Sequence, residues 1–138
     1  MDIAPLSVTH TLTLELIDAS GTATPLEAEL RYDNHDPYAV SACFDTGATS
    51  VRWVFGRTLL SGGVFRPTGD GDVHVWPCLD SAGGAVTILE LTSPDGEAIM
   101  QAQSEDVCAF LRRTEELVPV GSETLHVDIE KAIAELLG

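Results

Sequence analysis

Strict alternation of apolar and polar residues, broken at short intervals by turn formers, constrains this chain more than any other feature. From Ser7 to Asp18, Val8, His10, Leu12, Leu14 and Leu16 share one face, and Thr9, Thr11, Thr13 and Glu15 share the other. A period of two places successive side chains on opposite faces of an extended strand, so this segment reads as a long half-buried β-strand. The pattern returns in Leu26–Tyr32, with Leu26, Ala28, Leu30 and Tyr32 on one side, then in Tyr38–Phe44 and in Val51–Phe55. It continues in Asp72–Cys78, and two further apolar runs, Ala85–Thr92 and Glu97–Gln103, flank Ser93-Pro-Asp-Gly96. Between these strands lie Asp18-Ala-Ser-Gly21, Asp33-Asn-His-Asp-Pro37, Asp45–Ser50, Arg66–Gly71, Asp80–Gly84 and Ser93-Pro-Asp-Gly96. Asp-Gly between two apolar runs is the strongest hairpin signal among them, because glycine accepts positive φ without steric cost.

The period changes twice. Gly56–Gly62 reads as one or two helical turns ended by Gly62-Gly63. After Gln103 the pattern becomes helical for good. Ser104 reads as a cap with Glu105 and Asp106 in the first turn, and Val107, Phe110, Leu111, Leu117 and Val118 form an apolar stripe that Pro119 and Gly121 end. Asp128 reads as the cap of a last helix carrying Ile129, Ala132, Ile133, Leu136 and Leu137. The fold class expected is α+β: a strongly bent antiparallel β-sheet or open barrel of about seven strands, partly covered by two C-terminal amphipathic helices. With 138 residues and no visible linker or repeat, residues 1–138 are expected to form one domain.

Charge narrows the partners. Seven Lys plus Arg stand against 22 Asp plus Glu, a net charge of −15. Binding a phosphate backbone or an anionic lipid surface requires clustered cations, and the longest basic cluster here, Arg112-Arg113, is followed at once by Glu115 and Glu116. Nucleic acid and anionic membrane are therefore not expected as partners, whereas a basic patch on another protein is compatible. No apolar run approaches the roughly 18 residues that a membrane span needs. The first residues, Met1-Asp2, lack the basic region of a signal peptide, so a cytoplasmic location is expected.

Chemistry-bearing motifs are sparse. Asp45-Thr46-Gly47 follows an apolar strand, as the catalytic triplet of an aspartic protease does, where two carboxylates share one proton. However, Val51–Phe55 and a short helix follow in place of a glycine-rich flap, and Asp, Thr and Gly are all turn formers. The triplet therefore reads as a hairpin turn, with a protease as the weaker alternative. Asp33, His35 and Asp36, and likewise Asp70 and Asp72, crowd single loops, but neither loop follows a calcium-binding pattern. Cys43, Cys78 and Cys108 have no metal or disulfide spacing and read as buried reduced thiols. No catalytic, cofactor or metal residue is assigned. One surface stands out. If Val73 and Val75 face the core, His74 and Trp76 stand on the opposite face, where a large aromatic is either roofed by a helix or used against another chain. His74 and Trp76 are the candidate protein-contact face.

Several long segments resemble a known family. LRYDNHDPYAV, VRWVFGRTLLSGGVFRPTGDGDVHVWP, LTSPDGEA and AFLRRTEELVPVGSE are similar to the SsgA-like proteins, regulators of sporulation-specific cell division in actinobacteria, and most of all to the SsgB branch. The resemblance runs from about Leu12 to about Leu137. It implies no enzymatic activity and no cofactor. It implies a cytoplasmic adaptor that marks the septum site and recruits FtsZ beside an SsgA-type paralogue, in a fold similar to the Whirly-type and mitochondrial guide-RNA-binding proteins and as a homotrimer. That fold kinship makes a single-stranded nucleic-acid binder the rival reading, which the acidic composition opposes because such binders need a cationic groove.

Overall fold

The computed structural model describes residues 6–137; Met1–Pro5 and the side chains of Asp70, His126 and Glu130 lie outside the described residues. The strands are β1 (Ser7–Ile17), β2 (Ala23–Asp33), β3 (Ala39–Asp45), β4 (Ser50–Gly56), β5 (Thr68–Asp70), β6 (Val73–Leu79), β7 (Ala85–Ser93) and β8 (Gly96–Gln103). The helices are α1 (Arg57–Gly63), α2 (Ser104–Leu117) and α3 (Glu123–Leu137). All eight strands form one antiparallel sheet in the order β4-β3-β2-β1-β8-β7-β6-β5. Two meanders, β1–β4 and β5–β8, are thus joined back to back, and the sheet curls into a half-barrel. The α+β bent-sheet architecture expected from the alternation is the one observed.

The joint between the meanders is short. β1 and β2 pair along their full length, from Ser7↔Asp33 to Ile17↔Ala23, but β1 meets β8 only at Glu15↔Gln101, Leu16↔Met100 and Ile17↔Ile99. Beyond Gln103 the chain turns into α2, which takes over the cover of β1. Arg113 Nη1 donates to the Thr9 carbonyl at 2.9 Å, and the His10 ring lies 3.6 Å from an Asp106 oxygen and against Phe110. The sheet splays from one corner, and the space it opens is filled by helix side chains. Leu59 and Leu60 of α1 and Val107, Phe110 and Leu111 of α2 join Leu14, Leu30, Tyr32, Val40, Ala42, Val75 and Met100 in one core.

Four expectations are corrected. The sheet has eight strands because Thr68–Asp70, inside the segment read as the loop Arg66–Gly71, pairs with Val73–Val75 as a short edge strand. Gly62 and Gly63 do not end α1 in a left-handed turn; the cap is Val64 in right-handed helical geometry. Their lack of a side chain serves close approach instead, since a Cβ on Gly63 would lie 2.2 Å from Val75 Cγ1. Ser104 is inside α2, its hydroxyl bonded to that of Thr87 at 2.9 Å, and Gln103 holds the cap position without a side-chain bond. Finally, α3 starts at Glu123 and not after Asp128, for reasons that lie in its first turn.

Candidate functional site

β6 is buried on one face and open on the other. Val73 and Val75 are buried, Val75 beneath Gly63 of α1, and this fixes the alternate residues on the outside. His74 is exposed and Trp76 half-buried, on the side opposite the core, as the alternation requires. Their cross-strand neighbours on β7 are Glu90 for His74 and Ile88 for Trp76. On the other side His74 pairs with Gly69, whose missing side chain makes room for the imidazole: a Cβ there would lie 2.2 Å from His74 Nδ1. Pro67, Thr68, Gly69, His74, Trp76 and Glu90 line an open groove of about 380 Å³. Among the described residues, Trp53 packs against the core and Trp76 is not part of it. The groove offers an aromatic wall, a carboxylate and an imidazole along the sheet edge formed by β5, which suits a protein contact with an apolar centre and a polar rim.

The other candidate motifs resolve into turn chemistry. Asp45 ends β3, and one of its carboxylate oxygens accepts the Gly47 N–H at 2.9 Å. The Thr46 hydroxyl donates to the Thr49 carbonyl at 2.8 Å, and Gly47 has a φ of 85°. These are the bonds of a tight β3–β4 connection, so the triplet does the turn work that its residue types favour. Asp33 and Asp36 likewise hold a turn through their backbone: the Asp33 carbonyl accepts the Asp36 N–H, and the Asp36 carbonyl accepts the Ala39 N–H. Asp72 is exposed and contributes its carbonyl to the Thr92 N–H. Among the described residues, no three His, Cys, Asp or Glu side chains gather as a metal site. The cysteines are free thiols, but Cys78 is exposed and Cys43 and Cys108 are partly buried, against the expectation that all three would be inside. Cys78 alternates with Trp76 on the outer face of β6, and that register exposes it.

The most constrained polar group is one that no sequence motif singles out. Arg57, the first residue of α1, is 3% exposed. Its Nη1 donates to the carbonyls of Thr114 (3.2 Å) and Val118 (2.8 Å) at the end of α2, and its Nη2 reaches Glu123 Oε1 at 2.6 Å. The guanidinium also lies 4.9 Å from the centre of the Tyr32 ring. Glu123 Oε2 accepts the Gly121 N–H at 2.8 Å, and the Tyr38 and Thr124 hydroxyls bond to each other. One cation therefore ties α1, the C-terminal carbonyls of α2 and the first turn of α3 to β2. Burial pushes the Tyr32 hydroxyl up to about 12, against the pull of Arg57. The Glu123 carboxyl is held below its ordinary range, first by its own backbone N–H, then by Arg57. This also explains why α3 begins early: Glu123 is fixed there before Asp128 is reached. A sequence signal for Arg57 did exist. A cation at a helix N-terminus opposes the helix dipole, so its presence there points to a tertiary partner.

Comparison with known proteins places the whole arrangement. A family model described as the Streptomyces sporulation and cell division protein SsgA matches residues 26–123. The sporulation-specific cell division protein SsgB of Frankia casuarinae is 46% identical over 138 residues, covering 99% of this chain and 96% of that one. A solved SsgB structure, concerned with longitudinal cell division during sporulation of Streptomyces coelicolor, is 46% identical with a TM-score of 0.86 and covers 91% of this chain and 99% of that one. The crystal structure of an SsgA-like sporulation-specific cell division protein from Thermobifida fusca is 41% identical with a TM-score of 0.88 and covers 98% of each chain. The resemblance read from the segments above is thus family membership: this chain belongs to the SsgA family of sporulation and cell division proteins.

Proposed function

We propose that this chain works in sporulation-specific cell division as a non-catalytic adaptor that marks the septum site and recruits FtsZ, beside an SsgA-type paralogue and as a homotrimer. Family membership supports the process; the resemblance on which it rests points to FtsZ. The observation that carries the adaptor reading is the outer face of β6, where Trp76 and His74 stand away from the core beside an open groove. The mechanism is surface recognition. A rigid oligomer presents several copies of this face to a polymer, and simultaneous engagement multiplies a weak single contact without any new bond.

Co-sedimentation with FtsZ filaments tests the reading. The wild-type chain pellets with the filaments, and Trp76→Ala weakens this by about 2 kcal/mol, roughly 30-fold, the loss expected for a central aromatic, while circular dichroism stays native. Failure of the folded wild-type chain to co-pellet across a range of salt overturns FtsZ recruitment. Light scattering on the same variant separates the two uses of the face: a lower mass assigns Trp76 to the contact between copies, and an unchanged mass with lost co-pelleting assigns it to the filament.

A further inference from the structure

An open sheet leaves backbone N–H and carbonyl groups unpaired along its edges, a template for another strand unless something blocks them. β5, at one end of the sheet, is three residues long and follows Pro67. The part of β1 that β8 does not reach is covered by α2, where Arg113 takes the Thr9 carbonyl. β4, at the other end of the sheet, carries neither device. It runs for seven residues, Ser50–Gly56, and pairs with β3 without a bulge from Asp45↔Ser50 to Ala39↔Gly56. It contains neither proline nor lysine, and the elements in extensive contact with it are β3 and α1.

The bonds at the two ends of the β3–β4 hairpin set which groups of β4 point outwards. The Thr46 N–H donates to the Thr49 carbonyl at one end, and the Arg57 N–H to the Tyr38 carbonyl at the other. Hydrogen-bonded and non-hydrogen-bonded pairs alternate in an antiparallel ladder. Phe44↔Val51, Ala42↔Trp53 and Val40↔Phe55 therefore carry the bonds, and Ser50, Arg52 and Val54 turn their N–H and carbonyl groups away from β3. Arg52 is exposed and Val54 is 56% exposed. On the inner face Val51 is 40% exposed, and Trp53 lines an open groove of about 240 Å³ with Leu91, Gly96 and Ala98. The charges around the edge are mixed: Arg31, Asp33 and Asp36 lie beside Arg52 and Val54, and Asp95 and Glu97 beside Trp53. Backbone, not charge, selects the occupant, and it calls for an extended chain. Pairing β4 with β4 of a second copy requires a two-fold axis, whereas the homotrimer proposed above has a three-fold one, whose ring contact is heterologous. The other end of the sheet is then the partner edge, and β5 is too short to match β4. We propose that β4 accepts an extended segment of another protein as a further antiparallel strand, bonded to Arg52 and Val54 and laying an apolar side chain on Trp53. His74 and Trp76 stand towards the opposite end of the sheet order, so only the exclusion of a second copy rests on the preceding reading.

The probe is a synthetic peptide of valine alternating with threonine, with a central phenylalanine, and its binding to the full chain is followed by fluorescence anisotropy. At saturation the Arg52 and Val54 amides exchange with solvent about tenfold more slowly, while the Trp53 amide, already in the ladder, is unchanged. Methylating the peptide nitrogens one at a time gives a period of two: one alternate set weakens binding about tenfold, and the other leaves it intact. Val54→Pro removes an outward donor without removing a bond to β3 and weakens binding to the same degree. Trp76→Ala leaves it unchanged. Circular dichroism checks the fold of each variant, and the methylated peptides keep the test valid if Val54→Pro unfolds. Absence of binding, or binding without alternation in the methylated series, overturns the proposal. So does loss of binding in Trp76→Ala, which places the peptide in the β6 groove. An oligomeric mass in sedimentation that Val54→Pro lowers assigns the edge to a second copy and also overturns it. A mass that Val54→Pro leaves unchanged, with peptide binding lost, supports it, and the wild-type mass tests the trimer separately.

Discussion

Arg57 shows how one buried cation fixes the relation of three helices to a sheet. Its partners are a carboxylate and two carbonyls at a helix end, all desolvated, so removing the cation leaves each without its donor. Arg57→Ala is expected to cost about 3–5 kcal/mol, the usual penalty for breaking a buried ion pair from one side, measured as the free energy of urea unfolding. Arg57→Lys keeps the charge but has no fork to reach Glu123 and the carbonyls together, and should recover only part of the loss. The acid limb follows from the same group. The folded carboxyl of Glu123 lies below its ordinary range, so the native state binds its proton less readily than the unfolded chain does. Its stabilisation is complete above the unfolded carboxylate value and disappears as pH falls through the lowered one. Glu123→Gln should therefore flatten the loss of stability on acidification in that window, seen in urea midpoints at a series of pH values. Gly69 makes a different kind of point. Its Cβ would meet a flexible imidazole and not backbone, so Gly69→Ala should displace His74 and alter the groove at little cost in stability, visible as shifted His74 ring resonances with an unchanged urea midpoint.

The strands were legible because a half-buried sheet imposes a period of two, and each turn carries the glycine, asparagine or aspartate that its backbone requires. Leu26 to Tyr32 and Val73 to Val75 were placed on their correct faces from alternation alone. β5 was not legible: a three-residue edge strand has no room for a period, and Thr68-Gly69-Asp70 looks like the loop that surrounds it. Gly62-Gly63 reads by local rules as a helix stop, and the actual reason is tertiary, a neighbouring valine. Gly63→Ala should overpack that contact and cost about 1–3 kcal/mol, again as urea unfolding. The apolar residues of α3 are visible in the sequence, yet periodicity cannot say which surface an amphipathic face meets. The candidate site divides along the same line. Trp76 and His74 could be found because alternation assigns them a face, whereas Arg57 meets Glu123 across 66 positions and Tyr38 meets Thr124 across 86, and no local pattern connects them. Anchored at one end, with Leu125, Ile129 and Leu136 in solvent, α3 should open more readily than α2, whose stripe lies in the core. Its amides beyond Ile129 should exchange at least ~100-fold faster than those at Val107–Leu111, as expected where little apolar surface opposes opening. Equal protection would place α3 in the same cooperative unit as the sheet.

Charge governs the behaviour of the molecule as a whole. Twenty-two acids and seven bases share one chain, and one of those bases, Arg57, is committed to the interior. The remaining acids repel each other on a body whose radius of gyration is about 14 Å for this length. The Debye length falls from about 30 Å at 0.01 M salt to about 3 Å at 1 M, so at low salt every acid feels the others and at high salt almost none does. Self-repulsion weighs on the compact state more than on the expanded chain. Raising sodium chloride from 0.01 M to 0.5 M should therefore raise the urea midpoint, and the Arg57–Glu123 pair, buried and poorly screened, should keep its share of the stability. Measuring wild type and Glu123→Gln at both salts separates the two contributions: the midpoint of each rises, and the difference between them stays nearly constant. A fall in the wild-type midpoint would mean that surface attractions outweigh repulsion despite the composition.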